Sequence, residues 1–274
     1  MNPKFIVTGG GGFLGKALSL RLKSLGLEVH SISRNPYPEL LEAGIVHHQA
    51  DLSDDLRGLR SVFEGASALF HTAAKVDMWG LYEDFYRANV QATKNLLEMC
   101  KETKLSKFIY TSSPSVIANG NDLCGVDESM PYPEHFEALY PATKAMAEKE
   151  VLLANGRGGL RTIALRPHLI FGPGDTNLMP TIIERARSGR LIQVGDGTNK
   201  VDFTYIEDCV EAHIKAADAL DKNPQAGGRA YFISQGEPIK MWDWINEVLT
   251  RSGLPPLSRK ISFKLAYFIG GLSE

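Results

Sequence analysis

The sequence predicts a doubly wound parallel α/β sheet followed by a smaller C-terminal lobe. Through the first half of the chain, short apolar runs alternate with segments that carry apolar residues at helical spacing. The expected strands cover residues 4–8, 27–33, 44–50, 67–71, 107–112 and 160–166. Strands that alternate with helices pair in parallel through right-handed crossovers, and this arrangement defines the fold class.

A strand, a glycine turn and a helix open this pattern. Residues 4–8 are a short apolar run that leads into four consecutive glycines. Residues 13–25 follow with apolar residues at helical spacing, and Gly26 is placed to end that helix. A longer helical pattern over residues 84–101 separates two of the later strands.

The pattern changes after Gly172, so we divide the chain into a first domain of residues 1–172 and a smaller lobe of residues 173–274. Part of the lobe is expected to return to the first domain. The apolar and aromatic residues 263–269 are interpreted as a core helix rather than a membrane-surface helix, because so short a run cannot span a bilayer.

Composition excludes several classes of protein. The 274 residues carry a net charge of −2, so no strongly basic field indicates nucleic acid. No apolar run reaches the roughly 18 residues of a membrane span. The three cysteines match neither a disulfide framework nor metal-ligand spacing, and we expect no metal. The N-terminal residues lack a signal peptide's apolar region, so the expected location is the cytoplasm.

The glycine turn predicts a dinucleotide site. Gly9, Gly12 and Gly15 fit the spacing G-x-x-G-x-x-G, and a G-x-G-x-x-G register that starts one residue later fits equally well. Both patterns allow a tight turn and a close approach of the backbone to a pyrophosphate. Phe13 and Leu14 would offer free backbone N–H groups at the N-terminus of the helix, where the dipole favours an anion.

The end of the second strand bears on the choice of cofactor. NAD-binding sites carry an acidic residue there, whereas this chain has Arg34, which suits the extra phosphate of NADP. We therefore expect NADP(H), with NAD(H) as the other possibility; the alternative interpretation of Arg34 is a solvated loop arginine. Asp51 and Leu52 follow the third strand, where they are expected at the adenine, although Asp51 fits a helix N-cap equally well.

Small residues end the fourth strand. We expect the backbone of Ala73, Ala74 and Lys75 to run beneath the cofactor ribose. His71 is interpreted as a structural histidine rather than a catalytic one, because no carboxylate partner is evident nearby in the sequence.

Tyr140 and Lys144 are the predicted catalytic pair. They are four residues apart, so they share one face of a helix that Pro141 can begin. A free phenol, with a pKa near 10, is a poor acid–base group at neutral pH, and a neighbouring ammonium is expected to lower that pKa. Behind a dinucleotide turn, this spacing indicates oxidation and reduction of an alcohol or a ketone.

A serine-rich segment follows the fifth strand, at the end of the sheet where ligands bind. We assign Ser113 to the substrate oxygen in preference to Ser112 and Ser115, and Ser115 stays a candidate for substrate contact. The alternative role for these hydroxyls is capping of the loop.

Six segments together resemble a known family, the extended short-chain dehydrogenases/reductases, and within it the 3β-hydroxysteroid dehydrogenase branch. They are TGGGGFLG (8–15), HTAAKVDMWG (71–80), YTSSPSV (110–116), YPATK (140–144), LRPHLIFGPGD (165–175) and GDGTNKVDFTYIEDC (195–209). Residues 34–38 and 74–80 look most like the 2-alkyl-3-oxoalkanoate reductases of bacterial olefin synthesis (OleD type).

The resemblance implies a catalytic triad of Ser113, Tyr140 and Lys144, with Pro167 bordering the nicotinamide and Asn89 bracing the sheet near the lysine. It also implies a homodimer and an association with other enzymes of the olefin pathway. Family members commonly continue with more helix, so we expect the substrate lobe to be incomplete at its C-terminal end.

The predicted function is an NADPH-dependent reduction of a 2-alkyl-3-oxoalkanoate to the 3-hydroxy acid. Met78, Trp79 and Phe171 are candidates for lining an apolar substrate pocket, although core packing accounts equally well for Phe171. The alternatives are an NAD-dependent 3β-hydroxysteroid or sterol-4α-carboxylate dehydrogenase, a sugar-nucleotide epimerase, and an NADP-binding sensor without turnover.

Overall fold

The computed structural model of the chain describes residues 2–77 and 79–271. Within them, seven strands form one parallel sheet in the order β11-β6-β5-β4-β1-β2-β3. These strands are β1 (Lys4–Thr8), β2 (Glu28–Ser33), β3 (Val46–Gln49), β4 (Ala66–His71), β5 (Lys107–Thr111), β6 (Arg161–Pro167) and β11 (Arg229–Ile233). The doubly wound parallel sheet predicted from the sequence is therefore confirmed.

Helices connect these strands. They are α1 (Phe13–Ser24), α2 (Pro38–Glu42), α3 (Arg60–Phe63), α4 (Tyr82–Phe85), α5 (Ala92–Thr103), α6 (Leu139–Ala154) and α8 (Ile206–Lys222). The inner strands are largely buried, as crossover helices on both faces require, and β5 is buried from Lys107 through Tyr110. The edge strands β3 and β11 have no fully buried residue. None of the helices in the described ranges is long and apolar enough to cross a membrane.

The described chain divides into two compact units. The first contains Met1–His168 and Ile206–Ile233, and the second contains Leu169–Tyr205 and Ser234–Glu274. The sequence placed the division after residue 172, whereas the chain leaves the first unit after His168, directly beyond the end of β6. The segment that returns contains α8 and β11, the edge strand that pairs with β6.

The second unit is built from short elements. They are β7 (Ile170–Phe171), α7 (Leu178–Arg187), β8 (Gln193–Val194), β9 (Lys200–Val201), β10 (Thr204–Tyr205), β12 (Ile239–Lys240), α9 (Met241–Arg251), β13 (Lys260–Ile261) and α10 (Phe263–Gly271). Its core joins α7 to α9 through Ile182, Trp242, Ile245 and Leu249. An aromatic group lies beside that core, with the rings of Phe203 and Trp244 stacked at 4.3 Å.

Two local expectations differ from the structure. The helix predicted over 84–101 is interrupted by a π-helical turn, Tyr86–Gln91. Residues 263–269 fall in helix α10 as expected, but its described side chains are not core: Phe263 is 69% exposed and Tyr267 is 76% exposed.

Two buried histidines link elements of the first unit. The Thr93 hydroxyl donates to the Asn89 carbonyl (2.6 Å), so it accepts from His71 Nε2–H (3.0 Å), while Nδ1 accepts from Thr8 (2.7 Å). Both ring nitrogens of His71 are thus bonded, which agrees with the structural role predicted for this residue. His213 Nδ1–H donates to the Cys209 carbonyl (2.7 Å), and Nε2 accepts from Thr111 (2.8 Å).

Burial lowers the pKa of His71 to about 3 and that of His213 to about 4, so both rings stay neutral. The unfolded chain binds protons at these residues below about pH 6.5, and the native state does not do so until lower pH. Stability is therefore lost as the pH falls from about 6.5 towards 4.

We predict that the free energy of unfolding falls by about 2 kcal/mol for each of these histidines between pH 7 and pH 5. Urea unfolding at the two pH values measures this difference. His213→Gln should shrink the difference by about 2 kcal/mol, whereas replacement of the exposed His135 by glutamine should leave it unchanged. Equal pH dependence in all three proteins would contradict the assignment.

Candidate active site

The predicted site residues follow the carboxyl ends of neighbouring strands. In the sheet order, β1 lies between β2 and β4, so the crossover direction changes beside β1. Ligands of doubly wound sheets bind in the crevice at such a point. The glycine turn follows β1, Ala73 follows β4, Ser113 follows β5, and Pro167 is the last residue of β6.

Two of the three motif glycines are required by packing. Gly9 has a φ of +70°, and a Cβ there would lie 2.8 Å from the backbone of Ala73. A Cβ on Gly15 would lie 2.2 Å from the Gly9 carbonyl oxygen and 2.6 Å from the Thr72 hydroxyl. These glycines bring α1, β1 and the loop after β4 into direct contact, which larger residues would prevent.

Gly12 differs from the other two. It is the N-cap of α1 with an ordinary extended backbone (φ −77°, ψ 166°), and a Cβ there would meet only the Gly9 carbonyl at 3.3 Å. This contact is tight but much less severe than those at Gly9 and Gly15, so packing alone does not demand glycine here. A ligand that approaches the backbone closely would account for it.

The N-terminus of α1 is suited to an anion. Helix α1 has no side-chain cap at Gly12 and no acidic residue in its first turn, which includes Phe13 and Leu14. Its uncapped N–H groups and its dipole therefore favour a phosphate. Below the turn, the buried Ser31 hydroxyl has no hydrogen-bond partner within the described chain. The residues present fit the pyrophosphate of a dinucleotide.

Arg34 and Asp51 lie near each other beyond the ends of β2 and β3. Arg34 is exposed, as a guanidinium available to a phosphate must be. The Ser53 side chain, the Ser53 N–H, Arg34 and Arg87 together lower the pKa of Asp51, although burial opposes them. Asp51 Oδ1 accepts hydrogen bonds from the Ser53 N–H (2.9 Å) and hydroxyl (2.7 Å), so this oxygen stabilises the turn after β3.

Leu52, predicted with Asp51 at the adenine, is buried in the main core.

The loop after β4 is anchored by Asn89. Its side-chain oxygen accepts from the Lys75 N–H (2.7 Å), and its amide donates to the Lys75 carbonyl (3.1 Å) and to the Thr143 hydroxyl (3.0 Å). Thr143 donates in turn to the Tyr140 carbonyl (3.1 Å). Asn89 therefore ties the segment of Ala73, Ala74 and Lys75 to the first turn of α6. The π-helical turn that contains Asn89 is of a kind often found at functional sites.

Ser113 lies in a defined position at the start of a short 3₁₀ turn. Its hydroxyl oxygen accepts from the Ser115 N–H (3.2 Å) and from the Ser115 hydroxyl (2.9 Å), which leaves its own hydrogen free to donate. Ser115 thus orients Ser113. The Ser112 hydroxyl is buried and has no partner among the described residues, and it is less accessible than Ser113.

Lys144 is buried, with only 2% of its surface exposed. Its ammonium donates to the Thr111 carbonyl (2.5 Å) and lies 4.1 Å from the ring centroid of Tyr110. Burial lowers the Lys144 pKa to about 7, and the negative charge of Glu148 opposes that shift. The charge of Lys144 therefore changes within the physiological range of pH.

The pKa of Tyr140 differs from the sequence expectation. We expected a lowered pKa, but burial raises it above the usual value near 10, and the hydroxyl of Ser113 only partly offsets this. The reason is that Tyr140 is partly removed from solvent while the neighbouring ammonium donates to the Thr111 carbonyl. Tyr140 is accordingly a neutral phenol at neutral pH, in the form that donates a proton.

The candidate substrate residues Trp79 and Phe171 belong to different units of the described chain. Met78 lies outside the described residues. Trp79 is 76% exposed, so it does not line an enclosed pocket of the first unit. Phe171 belongs to the second unit, where it packs edge-on against Tyr205 and Trp244, each at 5.5 Å. Core packing therefore accounts for Phe171, and substrate contact by these residues stays a prediction.

Sequence reasoning missed a group of buried residues behind Lys144. Glu148, one turn further along α6, accepts from Arg166 Nη2 (2.6 Å) and from the Tyr132 hydroxyl (2.6 Å). The spacing of Lys144 and Glu148 was a usable signal, because residues four apart share a helix face. No pattern in the sequence indicated that Tyr132 would donate to Glu148, 16 residues further on, or that Thr111 would donate to His213, 102 residues further on.

The sheet order, the glycine turn at its switch point and the neighbouring serine, tyrosine and lysine are those of a Rossmann-type dehydrogenase. The chain belongs to the 3-beta hydroxysteroid dehydrogenase/isomerase family, whose sequence model matches residues 6–265. It is therefore an oxidoreductase that acts on hydroxyl or keto groups. This excludes the alternative function of an NADP-binding sensor without turnover.

Relatives and solved structures agree with this assignment. A 2-alkyl-3-oxoalkanoate reductase of Stenotrophomonas maltophilia is 46% identical over 99% of this chain and 82% of the relative. A 3beta-hydroxysteroid-dehydrogenase/decarboxylase of Arabidopsis thaliana is 38% identical over 98% of this chain and 66% of the relative. MoeE5, solved with UDP-glucuronic acid and NAD, has a TM-score of 0.78 at 27% identity, covering 94% of this chain and 85% of that one.

The glycines yield a prediction that separates folding from binding. Gly15→Ala should lower the free energy of unfolding by about 2 kcal/mol, because its Cβ overlaps fixed backbone. Gly12→Ala should lower that free energy by no more than about 1 kcal/mol, the cost of a poorer N-cap, but weaken dinucleotide binding about tenfold or more. Urea unfolding and calorimetric titration measure the two effects.

The matched control is Gly58→Ala, since a Cβ on the exposed Gly58 meets nothing within 4 Å. It should change neither quantity. Wild-type dinucleotide affinity in the Gly12→Ala protein would contradict a phosphate site at this turn.

Proposed function

We propose that this protein is a reductase that uses NADPH to convert a 2-alkyl-3-oxoalkanoate into the 3-hydroxy acid. The observation that carries the proposal is the 46% identity, over nearly the whole chain, to a relative of that name. The site supports it through a partly buried neutral phenol, Tyr140, beside a serine hydroxyl that is free to donate.

The reaction requires a hydride at the ketone carbon and a proton at the ketone oxygen. A reduced nicotinamide, when bound, supplies the hydride. Tyr140 supplies the proton, and its raised pKa keeps that proton in place at neutral pH until the oxygen becomes basic. Ser113 donates a hydrogen bond to the same oxygen and stabilises the charge that develops on it. The product is a secondary alcohol and a phenolate, which regains its proton from solvent.

Lys144 and the strand ends position these groups. The Lys144 ammonium is fixed by the Thr111 carbonyl, so its charge stays close to the helix turn that carries Tyr140. In the protonated form it stabilises the phenolate left after proton transfer. Pro167 ends β6 and is buried, and we assign it to the border of the nicotinamide.

Arg34 supports the preference for NADPH. An exposed guanidinium follows β2, where an acidic residue would repel a phosphate on the ribose. NAD(H) remains the alternative cofactor, since MoeE5 was solved with NAD.

A second candidate function is the oxidation of a 3β-hydroxysteroid or of a sterol 4α-carboxylate with NAD. It is favoured by the 38% identity to the Arabidopsis dehydrogenase/decarboxylase. The same Ser113, Tyr140 and Lys144 would serve, with Tyr140 as the base. The raised Tyr140 pKa favours the reductive direction instead, because a base must lose its proton first.

We also propose a cytoplasmic homodimer, with association with other olefin-pathway enzymes as a further prediction. The outer face of α6 supports the dimer, since Met146 and Leu153 lie seven residues apart on it and both are exposed. The free cysteines Cys100, Cys124 and Cys209 are compatible with a reducing compartment.

Tyr140→Phe should lower kcat for reduction of a synthetic 2-alkyl-3-oxoalkanoate by about 10³-fold, because the proton donor is lost. The dissociation constant of NADPH should stay within about twofold, since the ring remains in place. NADPH absorbance and fluorescence titration measure the two quantities. The exposed Tyr82→Phe is the control. Full activity in Tyr140→Phe would rule out the mechanism.

Arg34→Asp should weaken NADPH binding by about 10- to 100-fold and leave NADH binding unchanged or stronger. The guanidinium contacts the phosphate that distinguishes the two cofactors, and a carboxylate would repel it. Parallel fluorescence titrations with both cofactors test this, with the exposed Arg187→Asp of the second unit as the control. An unchanged ratio of the two affinities would show that Arg34 does not select the cofactor.

A further inference from the structure

Glu148 has no role in the proposed reaction, yet it lies on the same helix as Tyr140 and Lys144. Tyr140, Lys144 and Glu148 are spaced four residues apart on α6, so they form one stripe along a helix face. Glu148 is completely buried (0% exposed). A buried carboxylate is costly unless it is paired, so its place beside a buried ammonium requires an explanation.

Glu148 is held by groups from two other segments. Arg166 in β6 donates to it through Nε (3.0 Å) and Nη2 (2.6 Å), and the Tyr132 hydroxyl donates to it at 2.6 Å. Three donors fix the carboxylate in one position. Arg166 directly precedes Pro167, so this pair also ties the catalytic helix to the strand end assigned to the nicotinamide.

The other groups around Lys144 supply no negative charge. From β5, Tyr110 presents its ring and Thr111 its carbonyl oxygen. From β4, His71 is neutral because burial lowers its pKa to about 3. On α6 itself, Tyr140 is a neutral phenol, since burial raises its pKa. Among these neighbours, Glu148 is the group whose negative charge acts on the ammonium, and it opposes the lowering of the Lys144 pKa that burial causes.

We propose that Glu148 is a positioning residue that raises the pH at which Lys144 loses its proton, with Arg166 and Tyr132 holding the carboxylate in place. The inference rests on the proposed function for the catalytic role of Lys144. The effect of Glu148 on Lys144 does not depend on which substrate binds. The carboxylate stabilises the ammonium across one helical turn, in a region that excludes water. Without it, Lys144 loses its proton at a pH where the phenolate still needs a cation.

The experiment measures the titration of Lys144 without any substrate. Protein labelled with ¹³C-lysine is followed by NMR from pH 5 to 10, and the Lys144 Cε signal is assigned by its loss in Lys144→Met. In Glu148→Gln the titration midpoint should fall by about one pH unit. The control is Glu150→Gln, which removes a partly exposed carboxylate on the same helix that pairs with Lys94 (3.2 Å), and it should leave the midpoint unchanged. An unchanged midpoint in Glu148→Gln would overturn the proposal.

A second variant covers the case in which Glu148→Gln does not fold. That change leaves the buried Arg166 without its partner, which is strongly destabilising, whereas removing both charges together is often tolerated. Glu148→Met combined with Arg166→Met should therefore fold, as thermal unfolding will show, and should lower the Lys144 midpoint in the same direction. A wild-type midpoint in the double variant would equally overturn the proposal.

Kinetics then separate this inference from the proposed function. The high-pH limb of kcat/KM for NADPH-dependent reduction should move down by about one unit in Glu148→Gln, while a merely structural role would lower kcat/KM at every pH. A shifted NMR titration in a protein that reduces no 3-oxoalkanoate would disprove the proposed substrate and leave the role of Glu148 intact.

Discussion

The Lys144 ammonium is buried away from water, and the neighbouring side chains and strand ends of the candidate site are arranged to stabilise its charge. A buried ammonium needs acceptors and a counter-charge, which the fold supplies from several elements. Thr111 offers a carbonyl at the end of β5, Tyr110 a ring face, and Glu148 a carboxylate one turn away. Glu148 also forms a buried salt bridge with Arg166, so one carboxylate serves two buried cations while Lys144 still titrates near neutral pH.

The parallel sheet makes this network possible by bringing distant parts of the chain to one edge. Carboxyl ends of parallel strands meet at the same side, so the turn after β1, the loop after β4 and Ser113 after β5 become neighbours. Asn89, on a π-helical turn, joins the loop after β4 to the start of α6. A change in any of these connections would move the phenol relative to the strand ends.

Much of the fold and of the candidate site could be predicted because the motifs that indicate them are short and contiguous in the sequence. The strand, glycine turn and helix are contiguous, and Tyr140 and Lys144 are separated by one helical turn, so neither inference needed the fold. The pKa of Tyr140 could not be predicted in the same way, because burial depends on which elements cover the helix. Trp79 and Phe171 show the same limit: their apolar side chains suggested a substrate pocket, whereas Trp79 is exposed and Phe171 packs among aromatic rings of the second unit.

Sequence by itself therefore determined the parallel α/β class, the glycine turn, the spacing of Tyr140 and Lys144, and the family, since each can be recognised from short segments of the chain. Tertiary structure alone decided that the phenol is neutral, that Lys144 titrates near neutral pH, and that Glu148 is clamped by Arg166 and Tyr132. Protonation depends on solvent exclusion and on charges from segments that are remote in sequence. Those quantities exist only once the chain has folded.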